Sequence, residues 1–226
     1  MYLSDKDIKK AVSEGSIIIN DFDETRLQPA SYDILLGNKF IVSNTQATMA
    51  IDPVNKIFPE TKEIVIDQSG MFVLHPGVSI LGTSVDYFGS DDYLIHLSGK
   101  SSLARLGLII HNTAGIINPG HFLNITFELC NLNQVPIILR PNMRIGQILF
   151  SQLTSKPKKD YKTTGRYHGR DWHHFAEPKE EEAKKAAGEK KLAEEKKPSK
   201  HCNGLPALRS SPLKILPTPN INEKRL

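Results

Sequence analysis

The sequence predicts a mainly β fold, an antiparallel sandwich or jelly roll with one short helix at its N-terminus. Apolar and β-branched residues come in short runs of strand length. The chain of 226 residues also carries 15 glycines and 14 prolines, many of which separate those runs. Short strands joined by tight turns are typical of antiparallel β folds and not of helical bundles.

Residues 5–14 are predicted to form the N-terminal helix. Ser4 is a suitable N-cap, and Gly15 is a typical helix terminator. The residues between them place an apolar stripe on one face, which consists of Ile8, Ala11 and Val12.

The other predicted elements are strands, because they are rich in β-branched and aromatic residues. Two runs, at 31–36 and 94–97, are predicted as single strands. Two further pairs are separated by turn-forming residues and are predicted β-hairpins: residues 72–74 with 78–81, and residues 136–140 with 143–150.

The composition changes near residue 176, which predicts a folded body over residues 1–175. Residues 176–200 are almost purely Glu, Lys and Ala with opposite charges at helical spacing, so they form a solvated helix, a disordered segment or an interaction arm. Residues 201–226 contain four prolines and are predicted to be a flexible tail.

Composition also excludes several classes of protein. No run approaches the ~20 apolar residues of a membrane span, and the first residues lack a secretion signal, so we expect a cytoplasmic protein without a membrane partner. The net charge of +4 lies largely outside the body, which argues against nucleic acid as a partner. Cys130 and Cys202 are the only cysteines and support neither a disulfide framework nor a cysteine zinc site.

Residues 99–129 carry polar residues between apolar runs and are the predicted nucleotide site. The start, Gly99-Lys100-Ser101, is not a P-loop, because that motif needs a glycine where Leu94 stands. Its polar residues are suited to a triphosphate, although an ordinary exposed turn has the same composition. They are Lys100, Ser101, Ser102 and Arg105.

Glu128 stands among Ile125, Phe127 and Leu129 in a run that is otherwise apolar. Burial of a carboxylate without a partner costs several kcal/mol, so this residue needs an explanation. Catalysis is one explanation, and a cross-strand salt bridge is the other.

No metal site is predicted. The histidines lack a recognisable ligand spacing, and the His-x-Glu and Pro-Cys-x-x-Cys motifs of the zinc nucleobase deaminases are absent.

The motifs of this region, in their order, resemble those of the dCTP deaminase family within the dUTPase superfamily. Gly-Lys-Ser-Ser-Leu-Ala-Arg-Leu-Gly-Leu begins at residue 99, Thr-Ala-Gly-x-Ile-x-Pro-Gly at 113 and Ile-Thr-x-Glu-Leu at 125. Further matches begin at residues 3, 27, 72 and 140, so the resemblance covers about the first 170 residues.

The resemblance implies a dUTPase-like distorted β-barrel, a homotrimer with active sites across subunit boundaries, and conversion of dCTP to dUTP with release of ammonia. Gly115-Ile116 resembles the bifunctional members, which go on to hydrolyse dUTP to dUMP and pyrophosphate. The family also implies Mg²⁺ bound with the triphosphate, no zinc, dUTP as a further ligand and dTTP as an inhibitor.

The family's site residues carry over to matching positions. Glu128 would activate the water that attacks the cytosine, Ser101 and Arg105 would orient the base and stabilise charge, and Thr113 and Ala114 would place the water. Lys100, Ser101 and Ser102 match the turn that holds the phosphates, and Tyr161 belongs to an arm that closes over the nucleotide. The remaining nucleotide-binding positions are Asn118, Thr126, Phe127, Arg166 and Arg170.

Four positions depart from the family pattern. Asn118 replaces an aspartate placed against the deoxyribose, and Leu123 replaces a glycine, so the loop must change its backbone or crowd the pocket. Arg166 replaces a lysine, and Arg170 replaces a glutamine. Two other functions therefore stay open: an enzyme with dUTPase activity alone, and an impaired nucleotide-binding or regulatory protein of the same fold.

Overall fold

The structure is a computed structural model that describes residues 1–45, 48–159, 161–165 and 167. Its α-helices are α1 (Asp5–Ser13), α2 (Ser101–Ala104) and α3 (Tyr161–Thr164). The strands are β1 (Ile18–Ile19), β2 (Leu27–Gln28), β3 (Ser31–Asn44), β4 (Glu60–Val65), β5 (Phe72–Leu74), β6 (Ser79–Gly89), β7 (Tyr93–Gly99), β8 (Leu108–Ile109), β9 (Ile116–Ile117), β10 (Leu123–Asn131), β11 (Ile137–Leu139) and β12 (Arg144–Gln152). A 3₁₀ turn at Glu24–Arg26 precedes β2.

Helix α1 confirms the prediction for the N-terminus. The Asp7 N–H donates to Ser4 Oγ at 3.4 Å, and the Ser4 N–H donates back to the Asp7 carboxylate at 3.4 Å, which forms a capping box. Gly15 follows the helix with φ of +74°, a conformation that favours glycine. Ile8 and Ala11 are buried against the sheet.

The long strand β3 joins the two halves of the main sheet. Its first part pairs with β12, where Tyr32 lies opposite Ile148, and its later part pairs with β6, where Phe40 lies opposite Gly82. The register shifts between Leu36 and Phe40. A Cβ at Gly37 would lie 2.9 Å from the Thr83 carbonyl oxygen, so the close approach at this point requires glycine.

The order β8-β10-β6-β3-β12-β7-β9 runs through this sheet, and all described strand pairs are antiparallel. Three further strands pair with members of this order: β1 pairs with β6, and both β2 and β4 pair with β3. Strands β11 and β5 form a separate two-stranded sheet. The largest fully buried side chains are aromatic: Tyr32, Phe40, Phe88, Phe127 and Phe150. The predicted fold class, a mainly β fold with a short N-terminal helix, is confirmed.

Both predicted hairpins are wrong, although their strands exist. Strand β5 pairs with β11, with Val73 opposite Ile138, while β6 pairs with β10 and β3. The fully buried Asn131 causes this separation, because its amide donates to the Leu74 carbonyl at 2.9 Å and its carbonyl accepts the Gly77 N–H at 2.8 Å. Side-chain and backbone bonds to β10 thus hold the turn that was expected to close the first hairpin.

The predicted boundary near residue 176, the charged segment 176–200 and the tail 201–226 lie outside the described residues. No helix in the described ranges is long and apolar enough to cross a membrane.

Candidate active site

Glu128 lies on β10, where side chains alternate between two faces of the strand. Ile125, Phe127 and Leu129 are buried in the core, whereas Glu128 lies on the opposite face and is half-buried. The expectation that its carboxylate is buried among these apolar neighbours is therefore wrong. Thr126 lies on the Glu128 face and is half-buried, but Phe127 is fully buried and its side chain packs in the core.

The Glu128 carboxylate is fixed through one of its two oxygens. The Asn112 N–H donates to Oε2 at 2.7 Å, and the Glu128 N–H donates to the Ile110 carbonyl at 3.0 Å. Oε1 has no hydrogen bond to the described residues, and Glu128 makes no salt bridge with them. The described residues thus give no support to the explanation that Glu128 forms a cross-strand salt bridge.

The loop after Asn112 carries three exposed residues of the predicted site, namely Thr113, Ala114 and Asn118. Gly115 fixes this loop to β7, because its carbonyl accepts the Leu97 N–H at 2.7 Å. A Cβ at Gly115 would lie 3.0 Å from the Leu97 carbonyl oxygen and 3.2 Å from His111 Cε1. A larger residue at position 115 would have to move this loop.

The side chains of Ser101, Ser102 and Arg105 lie on or directly after α2 and are exposed. None of the three makes a side-chain hydrogen bond or ion pair with the described residues. Lys100, in contrast, already forms a salt bridge within the chain, because its Nζ lies 2.5 Å from Oδ1 of the buried Asp33. The structure therefore presents two hydroxyls and one guanidinium to a ligand on this short segment.

The antiparallel pairing of β8 with β10 places Arg105 and Glu128 in opposite directions along the chain from the paired residues Ile109 and Cys130. Gly107, two residues after Arg105, accepts the Leu132 N–H at 2.9 Å. Leu132 lies four residues beyond Glu128, which corresponds to about 13 Å along an extended strand. In the described ranges, no hydrogen bond or ion pair joins Glu128 to Ser101, Ser102 or Arg105. Among the described residues of one chain, the predicted catalytic residues are therefore not linked to one another by direct polar contacts.

The predicted arm residue Tyr161 stacks on His121, with ring centroids 4.2 Å apart at an interplanar angle of 24°. Burial raises the pKa of the Tyr161 phenol. The His121 N–H donates to the Asn118 carbonyl at 3.1 Å, so the stack adjoins the predicted sugar-binding residue. The next residue, Lys162, makes an exposed salt bridge of 2.8 Å to Asp91.

Three other predicted positions have different outcomes. The Leu123 side chain packs against the hydrophobic core, and Leu123 lies opposite Phe88 in the sheet. Arg166 and Arg170 lie outside the described residues. Among the residues that the structure describes, no three His, Cys, Asp or Glu side chains form a cluster that could hold a metal ion.

Two contributors were not predicted from the sequence. In the sequence, His121 is one of several histidines without metal-ligand spacing. Its stacking partner, Tyr161, lies 40 positions further along the chain. Asp33 is 1% exposed within the apolar strand β3. A carboxylate within an apolar strand is the same pattern that singled out Glu128. Asp33 could therefore have been found from the sequence in the same way.

The chain is similar to a described protein family and to named relatives. Residues 2–153 match the family model described as dCTP deaminase-like. The chain is 41% identical over 174 residues to a Dictyoglomus thermophilum protein named dCTP deaminase, dUMP-forming, which covers 74% of this chain and 90% of the relative. A Methanopyrus kandleri protein of the same name is 40% identical over 174 residues, with the same coverages of 74% and 90%.

A solved structure shows a similar fold. The crystal structure of 2'-deoxycytidine 5'-triphosphate deaminase from Agrobacterium tumefaciens aligns with a TM-score of 0.50 at 23% identity. The match covers 66% of this chain and 46% of that chain, so it spans less than half of that protein. This likeness concerns the fold alone and agrees with the mainly β architecture described above. From the family match and the two relatives, the chain belongs to the dCTP deaminase-like family.

Proposed function

We propose that the protein deaminates dCTP to dUTP and ammonia, and that it then hydrolyses dUTP to dUMP and pyrophosphate. The observation that carries this proposal is Glu128, whose carboxylate is held on Oε2 by the Asn112 N–H and is open at Oε1. This geometry suits a general base, which needs a fixed carboxylate with one accessible oxygen. The names of the relatives, dCTP deaminase, dUMP-forming, supply the substrate and the products.

In the proposed deamination, a water molecule forms a bond to C4 of the cytosine while Glu128 Oε1 takes a proton from it. The C4–N bond then breaks, and the proton passes from Glu128 to the departing amino group, which leaves as ammonia. Ser101 would orient the base, and Arg105 would compensate the charge that develops beside C4. Thr113 and the Ala114 backbone would hold the water. Because the carboxylate activates the water directly, the step needs no zinc.

We propose that Glu128 of one copy and the α2 segment of another copy complete each site, in a homotrimer. The support is that no hydrogen bond or ion pair joins Arg105 to Glu128 among the described residues, and that Ser101, Ser102 and Arg105 are exposed. A threefold ring repeats one such contact three times and closes on itself.

The triphosphate would lie on the hydroxyls of Ser101 and Ser102, with the positive charge of Lys100 behind them. Mg²⁺ would arrive with the nucleotide and be held by its phosphate oxygens, as is usual for this ion. Tyr161, adjacent to Asn118 through His121, would close over the sugar.

The second step has separate support. Gly115 has no room for a larger side chain beside Leu97 and His111, so the loop near the proposed water keeps its compact form. That glycine was the sequence feature that resembles bifunctional members. In this step a second water and dUTP yield dUMP and pyrophosphate.

The test is to incubate the purified protein with dCTP and Mg²⁺ and to separate the nucleotides and pyrophosphate over time. We expect dUMP and pyrophosphate to appear, and the rate to be unchanged by a zinc chelator. Accumulation of dUTP without dUMP would refute the proposed hydrolysis of dUTP. Hydrolysis of added dUTP without conversion of dCTP would indicate a dUTPase alone. Binding of dCTP without any product would favour a regulatory protein.

A further inference from the structure

The carboxylate of Asp33 lies directly behind the segment that carries Ser101 and Ser102. The Asp33 side chain is 1% exposed, and both of its oxygens have partners. Oδ1 lies 2.5 Å from Lys100 Nζ, and Oδ2 lies 3.5 Å from Arg144 Nη1. A buried carboxylate of this kind is costly unless it is paired with cations, so its contacts hold those cations firmly.

The contact fixes the start of α2. Lys100 is the N-cap residue of this helix, but its side chain does not cap the helix and instead extends back to β3. The adjacent Gly99 carbonyl accepts a bond from the Gln147 amide at 3.2 Å. The segment is therefore tied to the sheet at two successive residues, one through its side chain and one through its backbone.

We propose that Asp33 is a positioning residue, which acts through Lys100 to hold the hydroxyls of Ser101 and Ser102 in the geometry that binds the triphosphate. This inference rests on the proposed function, and it assigns Lys100 the role of an anchor instead of a direct phosphate ligand. Asp33 itself does not touch the nucleotide, because it is buried beneath Lys100.

The direction in which Asp33→Asn changes the KM for dCTP distinguishes a positioning role of Asp33 from a purely electrostatic role. Two cations, Lys100 and Arg144, surround the single carboxylate of Asp33. If Asp33 were only a negative charge near the phosphates, Asp33→Asn would leave more positive charge and lower the KM for dCTP. If Asp33 positions the segment, the same substitution raises the KM, since loose hydroxyls bind the phosphates less well.

Amide hydrogen exchange gives a second measurement that does not depend on activity. The N–H groups of Leu103 and Ala104 donate to the Lys100 carbonyl at 3.0 and 2.9 Å. Their exchange rates therefore report directly on the order of the Lys100 turn.

The experiment compares Asp33→Asn with Asp86→Asn as the matched control. Asp86 is also a buried carboxylate, on β6, and it pairs with Arg26 at 2.6 Å. We expect Asp33→Asn to raise the KM about tenfold with little change in kcat, and to speed exchange at Leu103 and Ala104. We expect Asp86→Asn to lower stability without either effect. An unchanged or lower KM, or unchanged exchange, for Asp33→Asn would overturn the proposal, as would equal effects in both variants.

Lys100→Met keeps the proposal testable if Asp33→Asn does not fold. It should loosen Leu103 and Ala104, and intact protection in this variant would contradict the proposal. Where both variants fold, the double variant should behave like Asp33→Asn alone, because the two residues act as one unit, whereas additive effects would count against it. If the wild-type protein does not convert dCTP, the proposed function fails, but the exchange comparison still decides whether Asp33 orders the segment.

Discussion

Replacement of Glu128 by glutamine removes the proposed base with the least change in structure. The glutamine side chain has the same shape, and its amide oxygen can still accept the Asn112 N–H that lies 2.7 Å from Oε2. Its NH₂ group then occupies the position of Oε1 and has no basic site for a proton. Because general base catalysis contributes about 10²–10⁴-fold, kcat should fall by that factor, which corresponds to about 3–5 kcal/mol in the activation barrier. The half-buried position limits the loss of stability to about 1 kcal/mol.

The assay measures kcat with saturating dCTP and measures dCTP binding by calorimetry. We expect nearly unchanged affinity for Glu128→Gln, since the amide retains the fold of the loop. Cys130→Ser is the matched control, because Cys130 lies two residues further on the same face of β10 and outside the predicted site. This control should keep kcat within about twofold of wild type. A Glu128→Gln protein with turnover near that of the control would refute the assignment of the base.

Three other predictions concern separate parts of the molecule. Asp86→Asn should lower the free energy of unfolding by about 3–5 kcal/mol, since it breaks a buried pair with Arg26, and a loss below 1 kcal/mol in denaturant titrations would contradict this expectation. Tyr161→Ala should raise the KM for dCTP about two- to tenfold, whereas Tyr161→Phe keeps the stack on His121 and should not, so equal KM values for the two variants would refute a role for stacking. Asn118→Asp restores the charge typical of the family and should lower the KM for dCTP; steady-state kinetics that give a higher KM would show that the amide is the better partner of the sugar.

Elements with local signals were predictable from the sequence. The N-terminal helix is determined by Ser4, an apolar stripe and Gly15, all within a few residues, and the structure places it at Asp5–Ser13. The hairpins failed because the partner of a strand is a long-range property. Phe72–Leu74 pairs with Ile137–Leu139, 60 residues or more away, and the buried amide of Asn131 holds the intervening turn to β10.

The candidate site was predictable where one residue conflicts with its neighbours. Glu128 stood out in an apolar run, but the two-residue period of a strand places it on the face opposite Phe127 and not among the core residues. Asp33 carries the same conflict and could have been found in the same way, whereas its pairing with Lys100 and Arg144 could not, because these partners are far away in sequence. The pairing of β8 with β10, which places Arg105 and Glu128 in opposite directions from the paired residues, is likewise a long-range property.

The measurement that tests the central claim most directly is the activity of mixed oligomers. Arg105→Ala and Glu128→Gln, each inactive alone, are co-expressed in equal amounts, and deamination of dCTP is measured. If each site takes α2 from one copy and Glu128 from another, random assembly gives about a quarter of the sites both intact residues. We therefore predict about one quarter of the wild-type kcat. Activity no higher than that of the two separate variants would show that each chain holds its own site, or none, and would contradict the account.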